Sequence, residues 1–494
     1  MIPERTIVVG TPETIDLLTR QLALLPAPPT VVGAILLTEP GPTDPPLPVM
    51  LLGQATDAAE ICKTHSATQA IISAPAALAC EERLVRKTLG RIGIRVRLVA
   101  PLPELLACEP MTRTLHAGHS IDLAALVGRQ PHPLDRDQLS NMLAGSRVLI
   151  TGAGGSIGSE ITRICAGFNP AMLVLVERSE NALFEIDREL ATRFGSIPRR
   201  AVLHDVVQAD RTDRLIADTR PDLIFHAAAH KHVPLMEDHP AHAVTNNLFG
   251  TRAIADAATR HAVGRFVLIS SDKAVNPTSV MGATKRLAEM YVQGLGAQPG
   301  HSTRMSMVRF GNVLGSACSV LPIWASQIAE GGPVTVTDAR MTRYFMTIPE
   351  AAGLVIHAAS MSRPEHAEVF VLDMGDPISI VEMARRFIAA HGLIPIIDQS
   401  NETPQTQLDR ISIRFTGIRP GEKLHEELAY DAESLRPTEH PGIGALSETD
   451  IPDATTIAAM IEHLDHARSD GSAPEVVRAI ARFVPQLASM RAAA

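Results

Sequence analysis

Aromatic residues are scarce in this 494-residue sequence: one Trp, three Tyr and twelve Phe amount to 3%. Single-stranded nucleic acid is gripped by stacking bases on aromatic side chains, so that class of function is disfavoured. An excess of positive charge is missing too. Lys and Arg number 45 against 54 Asp and Glu, a net charge of −9. No nucleic-acid partner is indicated, although a local basic pocket for a diphosphate is compatible with that balance. The five cysteines (Cys62, Cys80, Cys108, Cys165, Cys318) are dispersed, with no Cys-x-x-Cys pair. Such a set reads as reduced thiols, mostly packed as small apolar side chains, and implies a cytoplasmic setting. No stretch reaches the ~18 uninterrupted apolar residues of a membrane span. Met1-Ile2-Pro3-Glu4-Arg5 runs straight into a strand and shows no signal-peptide layout. What is present, 45% apolar and 20% charged residues, is the composition of a soluble globular chain long enough for two or three domains.

Residues 1–125 alternate short apolar runs with helical patterns. The runs are Thr6–Val9, Val31–Leu37, Val49–Leu52, Ala70–Ser73 and Val96–Val99. That alternation predicts a Rossmann-like parallel α/β domain. Its first turn, Gly10-Thr11-Pro12-Glu13, lacks the later glycines that admit a pyrophosphate, so a structural or regulatory role is expected. Residues 126–145 read as a linker, with the proline-punctuated Gly128-Arg129-Gln130-Pro131-His132-Pro133 as an exposed boundary. A second doubly wound domain is predicted over 146–445. Its strand candidates are Arg147–Thr151, Leu173–Val176, Ala201–Leu203, Leu223–His226, Phe266–Ser270, Met305–Arg309 and Phe370–Leu372. From about Gly311 the spacing loosens, which suggests a smaller substrate lobe. Residues 446–494 are Ala-rich and read as an appended helical tail.

The strongest motif is Gly152-Ala153-Gly154-Gly155-Ser156-Ile157-Gly158, which joins a strand to a helix. Gly152 permits the tight turn, Gly155 the approach of phosphates and Gly158 the packing of helix on strand. Ser156 and Ile157 open the helix, where backbone N–H groups favour an anion. Glu177 ends the next strand, where an acid would hold the adenosine ribose hydroxyls. Arg178 and Ser179 can instead accept a 2′-phosphate, so NADP stays open beside the favoured NAD. Asp205 and Val206 follow the third strand, toward the adenine edge, and the small Ala227 and Ala228 leave room for the cofactor against the backbone. Two competing readings are weaker. Gly154-Gly155-Ser156-Ile157-Gly158 also fits a hydrolase nucleophile elbow, but Gly152 and the acid after the second strand fit a dinucleotide better. The histidines of His226-Ala227-Ala228-Ala229-His230-Lys231-His232 do not share one face in an extended strand, so no metal is expected.

About a hundred residues on, Ser270-Ser271-Asp272-Lys273 follows an apolar strand, and a helix is predicted over Lys285 to Val292. This places a hydroxyl, a carboxylate and two ammonium groups at the carboxyl end of the sheet. Where most short-chain dehydrogenases keep Tyr-x-x-x-Lys, the chain has Met281 and Lys285. A thioether cannot take a proton, and alone Met281 reads as a packing residue at a helix start.

With these segments the chain resembles the bacterial polysaccharide-biosynthesis nucleotide-sugar dehydratases, an extended short-chain dehydrogenase group, and in particular the long UDP-N-acetylglucosamine 4,6-dehydratases. The glycine turn, Lys231-His232-Val233-Pro234-Leu235-Met236-Glu237, Asn247 with Gly250-Thr251, and Ser-Asp-Lys…Met-x-x-x-Lys carry the match. So do Val308-Arg309-Phe310-Gly311-Asn312-Val313-Leu314-Gly315-Ser316, Arg343-Tyr344-Phe345-Met346-Thr347 and Arg419-Pro420-Gly421-Glu422-Lys423-Leu424. The resemblance spans roughly residues 121–430 and implies a homo-oligomeric lyase. Hydride leaves C4, water is lost across C5 and C6, and hydride returns to C6. Within that scheme Asp272 is the acid at C6 and Lys273 the C5 base, its pKa lowered by nearby positive charge such as Lys285. Lys285 holds the nicotinamide ribose, and Ser271 relays the C4 proton. Met281 fits the long members at this position. Asn312 and Arg419 are candidates for the diphosphate and Glu422 for the uridine ribose, with Lys231 and Asn247 also toward the substrate.

Three departures stand out. Long members usually begin with transmembrane helices. His230 stands where an aromatic is common, and Ala317-Cys318 where a glycine usually follows. Competing functions are a UDP-N-acetylhexosamine 4-epimerase, which needs no acid–base pair at C5 and C6, and a non-catalytic nucleotide-sugar regulator.

Overall fold

The computed structural model describes residues 5–24, 28–38, 41, 45–75, 78–99, 126–129, 131–300, 302–316, 319–363, 367–397, 410–430, 435–446 and 451–488. By compactness the chain divides into two units. One holds Met1–Leu126 with Ile323–Val336 and Val381–Arg414, and the other holds Val127–Pro322, Thr337–Ile380 and Phe415–Ala494. The return of 323–336 and 381–414 to the first unit was not foreseen, because local patterns carry no trace of long-range grouping.

In the first unit β1 (Arg5–Gly10), β2 (Thr30–Leu36), β3 (Leu51–Gln54), β4 (Gln69–Ser73) and β5 (Arg95–Leu98) form a sheet in the order β3-β2-β1-β4-β5. Every pairing is parallel. Alternate residues of β1 serve different cores: Ile7 and Val9 pack with Ile35, Ile72, Val85 and Leu89, whereas Val8 packs with Ile15, Leu18 and Ala34. Burial on both faces explains why the central strands β1 and β4 read as largely apolar runs.

The second unit is built on a nine-stranded sheet. Its parallel part contains β6 (Arg147–Thr151), β7 (Met172–Glu177), β8 (Arg199–Leu203), β9 (Leu223–His226), β10 (Arg265–Ile269) and β11 (Arg304–Arg309). The order across the sheet is Leu435–Pro437, Ile443–Leu446, Glu368–Leu372, β11, β10, β9, β6, β7, β8. Glu368–Leu372 joins in parallel, and the two strands beyond it pair antiparallel. β6 is flanked by β7 on one side and β9 on the other, so the strand order reverses there. A crevice opens at such a reversal, at the carboxyl ends of the strands.

Two expectations for this unit change. The 128–135 segment is pinned: Arg129 donates to Glu350 at 2.9 Å, and a helix at Arg136–Leu143 begins within the stretch read as linker. The Ala-rich terminus is not an appendage either. Its helices Ala454–Asp470 and Ala473–Phe483 bury Ile457, Met460, Leu464, Val476 and Ile480 in the same core as Leu287, Tyr291 and Val292 of helix Val280–Gly296. Small residues at the contact allow that approach: a Cβ at Gly294 would lie 2.7 Å from Ile457.

Candidate active site

The crevice between β6 and β9 carries the glycine turn. Gly152 adopts φ +65°, and a Cβ there would sit 2.8 Å from the Ala228 nitrogen. At Gly158 a Cβ would come within 2.1 Å of the Gly152 carbonyl oxygen, so the helix Ser156–Ala166 can start against β6 only with glycine at that point. Gly155 occupies the N-cap, and having no side chain it leaves the positive end of the helix dipole to a ligand.

Gly152, Gly155, Glu177, Arg178, Asp205, Val206, Ala227 and Ala228 line one cleft of about 170 Å³, together with His204, His230 and Asn246. The glycine cradle and the uncapped helix start fit a dinucleotide diphosphate. The Glu177 carboxylate accepts the N–H groups of Gly154 (3.3 Å), Arg178 (2.9 Å) and Ser179 (3.0 Å). The Arg178 guanidinium donates to Asn246 Oδ1 at 3.3 Å and lies 3.4 Å from the His230 ring nitrogens. Ser156 and Ile157 stand in the first turn of the helix.

His226 is buried between two hydroxyls, with Nδ1 2.7 Å from Thr151 Oγ1 and Nε2 3.1 Å from Thr251 Oγ1. Burial and the charge of Lys285 hold it neutral, with its pKa lowered to about 3. Burial, followed by Arg178, lowers His230 to about 4. Among the described residues no cluster of His, Cys, Asp and Glu has the makings of a metal site.

The residues expected to do acid–base work lie where β10 ends. Ser271 caps a short 3₁₀ turn, Asp272–Ala274, by accepting the Lys273 N–H. Asp272 is fully buried, and its Oδ1 accepts from Ser271 Oγ at 2.9 Å and from Lys273 Nζ at 3.0 Å. Lys273 Nζ also donates to Asn312 Oδ1 at 3.3 Å and lies 3.5 Å from Glu426 Oε1. Burial raises the Asp272 pKa, the direction expected of an acid, and Glu426 pushes it the same way.

Lys273 departs from the expectation. Burial alone would lower its pKa, but the carboxylates of Asp272 and Glu426 outweigh that, and the net shift is upward. The positive charge that acts on it is Arg343, not Lys285 as expected. The lowered lysine is Lys285, taken by burial to about 8, its Nζ donating to the Ile269 carbonyl.

Helix Val280–Gly296 starts five residues before the predicted Lys285, because Ser279 Oγ accepts the Gly282 N–H at 3.1 Å. Gly282 packs so tightly on the 3₁₀ turn that a Cβ would come 2.1 Å from the Lys273 carbonyl oxygen. Met281 is buried in the core. Below the turn Arg309 and Glu289, both fully buried, pair at 2.8 Å, with Ser270 Oγ on the same carboxylate at 2.6 Å.

Asn247 is 1% exposed, and its amide bridges the His230 backbone (2.8 and 3.2 Å) and Thr284 Oγ1 (3.1 Å), so it braces the loop after β9. Arg419, with its side chain 61% exposed, pairs with Glu422 at 2.6 Å. Lys231 is exposed. Ala317 and Cys318 lie outside the described residues. Sequence reading missed Glu426. It stands 151 positions beyond the turn's Val275 in a polar run, with no spacing to mark it.

A nucleotide cleft at the strand-order reversal, with an Asp-Lys pair at the end of β10, defines an extended short-chain dehydrogenase fold. A model of the family described as polysaccharide biosynthesis protein matches residues 148–448, and the chain belongs to that family. It is 44% identical over 377 residues to a probable polysaccharide biosynthesis protein, EpsC, of Bacillus subtilis, covering 75% of this chain and 60% of that one. To a UDP-N-acetylglucosamine 4,6-dehydratase (inverting) of Campylobacter jejuni it is 30% identical over 296 residues, 59% of this chain and 80% of the other. The X-ray structure of Pen from Bacillus thuringiensis matches with a TM-score of 0.55 and 31% identity, over 63% of this chain and 89% of that one. The chain spans 60% of the length of EpsC and of a Staphylococcus aureus capsular polysaccharide protein, CapD. No described helix is long and apolar enough to cross a membrane.

Proposed function

We propose that the chain is a nucleotide-sugar 4,6-dehydratase that takes UDP-N-acetylglucosamine and uses NAD. The observation that carries this reading is the buried Asp272, hydrogen-bonded at once to a hydroxyl and an ammonium. Bound at the glycine turn, the dinucleotide supplies removal of hydride from C4 and its return to C6. The Glu177 carboxylate at the end of β7 supports NAD, since an acid there suits a ribose 2′-hydroxyl and repels a 2′-phosphate.

The chain's own residues manage protons. Asp272 and Lys273 hold one proton between them across 3.0 Å. With that proton on Asp272 they are a carboxylic acid beside a free amine, the two functions an elimination needs. Lys273 takes the C5 proton, exchanges it with solvent and later delivers a proton back to C5. Asp272 gives its proton to the departing C6 hydroxyl, and the proton released from the C4 hydroxyl, relayed by Ser271 Oγ, makes up the loss. One proton enters and one leaves as part of water, so the pair is restored.

The test is to follow UDP-N-acetylglucosamine by NMR in deuterated water. A new C6 methyl with deuterium at C5 is expected, and Asp272→Asn should slow its appearance by roughly a thousandfold. A galacto isomer without a methyl would replace this reading with a 4-epimerase. No turnover of any UDP-sugar by protein with bound cofactor would leave a binding role.

A further inference from the structure

We propose that Glu426 is a third member of the acid–base site, a positioning residue that fixes Lys273 and sets the pH range over which Asp272 and Lys273 exchange their proton. This rests on the dehydratase reading.

The geometry comes from three segments. Lys273 Nζ meets Asp272 Oδ1 at 3.0 Å, Asn312 Oδ1 at 3.3 Å and Glu426 Oε1 at 3.5 Å. An ammonium has three N–H donors, and here there are three acceptors, so the lysine is aimed in one direction. Glu426 is delivered by a loop clamped to the catalytic turn. Thr278 Oγ1 donates to the Gly421 carbonyl (2.9 Å), Lys423 Nζ to Val275 (2.9 Å) and Tyr430 OH to Ala274 (3.0 Å).

A carboxylate this deeply buried is costly unless it is paired. Glu426 is 7% exposed. Arg343 Nε lies 3.7 Å from Glu426 Oε1, while its other nitrogens donate to the carbonyls of Thr342, Lys423 and Leu424. Among the described residues neither Asp272 Oδ2 nor Glu426 Oε2 has a hydrogen-bond partner, although both are buried. A pair serving only stability would not leave two such acceptors unused.

The charged groups around Glu426 are Asp272 and Lys273 on the 3₁₀ turn and Arg343 on its short strand. On its own loop are Lys423 and Glu427, with His425 held by Thr342 Oγ1 at 2.9 Å. The negative charge of Glu426 favours the protonated form of both catalytic neighbours. It keeps Asp272 an acid, and it stabilises the Lys273 ammonium formed when the C5 proton is taken.

The test is Glu426→Gln, which keeps the shape and removes the charge. Activity needs Asp272 protonated and Lys273 free, one tautomer of the pair that holds a single proton, so the two limbs of the kcat/KM profile report the gain and the loss of that shared proton. Both limbs should move to lower pH, with kcat down at least roughly tenfold and KM for the UDP-sugar within about twofold. Glu426→Asp should restore the position of the limbs. A uniform loss with unmoved limbs would overturn the proposal. A second readout needs no turnover: the carboxyl carbon resonance of Asp272, assigned by its loss in Asp272→Asn. Its titration midpoint should fall in Glu426→Gln, and an unchanged midpoint refutes the role even if the sugar proves to be a different one.

Discussion

The two largest sheets, one parallel and one mostly parallel, have first strands that run into helices through turns of opposite chemistry. In the first unit Thr11 caps helix Pro12–Ala23: its Oγ1 accepts the Thr14 N–H, and Thr14 Oγ1 accepts the Thr11 N–H at 2.9 Å. Thr14 Oγ1 also donates to the Ser73 carbonyl at 2.8 Å. The helix start is sealed by its own chain. In the second unit the equivalent cap is Gly155, with nothing on its α-carbon. The same topology therefore yields a closed turn in one place and an anion cradle in the other. Two side-chain oxygens, Thr11 Oγ1 and Thr14 Oγ1, decide between them, because an N–H already bonded within the protein has little left for a phosphate.

The sharpest way to break this comparison is a methyl group. Gly158→Ala drives a Cβ into the Gly152 carbonyl and should remove dinucleotide binding, read by fluorescence or calorimetric titration. Gly10→Ala also clashes, at 2.5 Å from the Ser73 carbonyl oxygen. It should lower stability by about 1–3 kcal/mol and leave dinucleotide affinity unchanged.

Acid gives a second contrast. The closed turn rests on hydroxyls that do not titrate, whereas helix Val280–Gly296 is tied to the sheet by Glu289. Burial would raise that carboxyl's pKa, but Arg309 and the hydrogen bonds around it win and take it down to about 2. A depressed carboxylate stabilises the fold above its unfolded pKa near 4.5 and loses that contribution as pH falls toward 2, about 3 kcal/mol in all. Glu289→Gln should flatten this part of the stability–pH curve and cost ~3–5 kcal/mol at pH 7 by stranding Arg309, as denaturant titration would show.

The smallest effect belongs to the cap. Thr11→Ala should cost about 1 kcal/mol in the first unit, with catalysis untouched.

Much of this contrast was legible before any coordinates. The missing glycines after Gly10 marked the first turn as unfit for a diphosphate, and the spacing from Gly152 to Gly158 marked the second as fit. Strand positions followed from apolar runs, which the central strands of both sheets bury on two faces. What stayed hidden depends on contacts between distant residues. Glu426 reaches Lys273 only because the 415–430 loop folds back onto the turn. Lys273 itself looked like a residue with a lowered pKa, but sequence could not show that two carboxylates flank it. Ser279 gave a readable capping signal that went unused, so the helix was started too late. The alanines of 454–483 suggested an appendage because small residues pattern weakly, although Ile457, Met460, Leu464, Val476 and Ile480 tie those helices into the core.

That last packing has a consequence in time. Ile457, which packs on Gly294 of helix Val280–Gly296, leaves the ribosome about 185 residues after Asp272. At roughly 5–20 residues per second the delay is ~10–40 s. The nucleotide half of the sheet can therefore be laid down while the helix bearing Lys285 still lacks its cover, and the chemistry is assembled last.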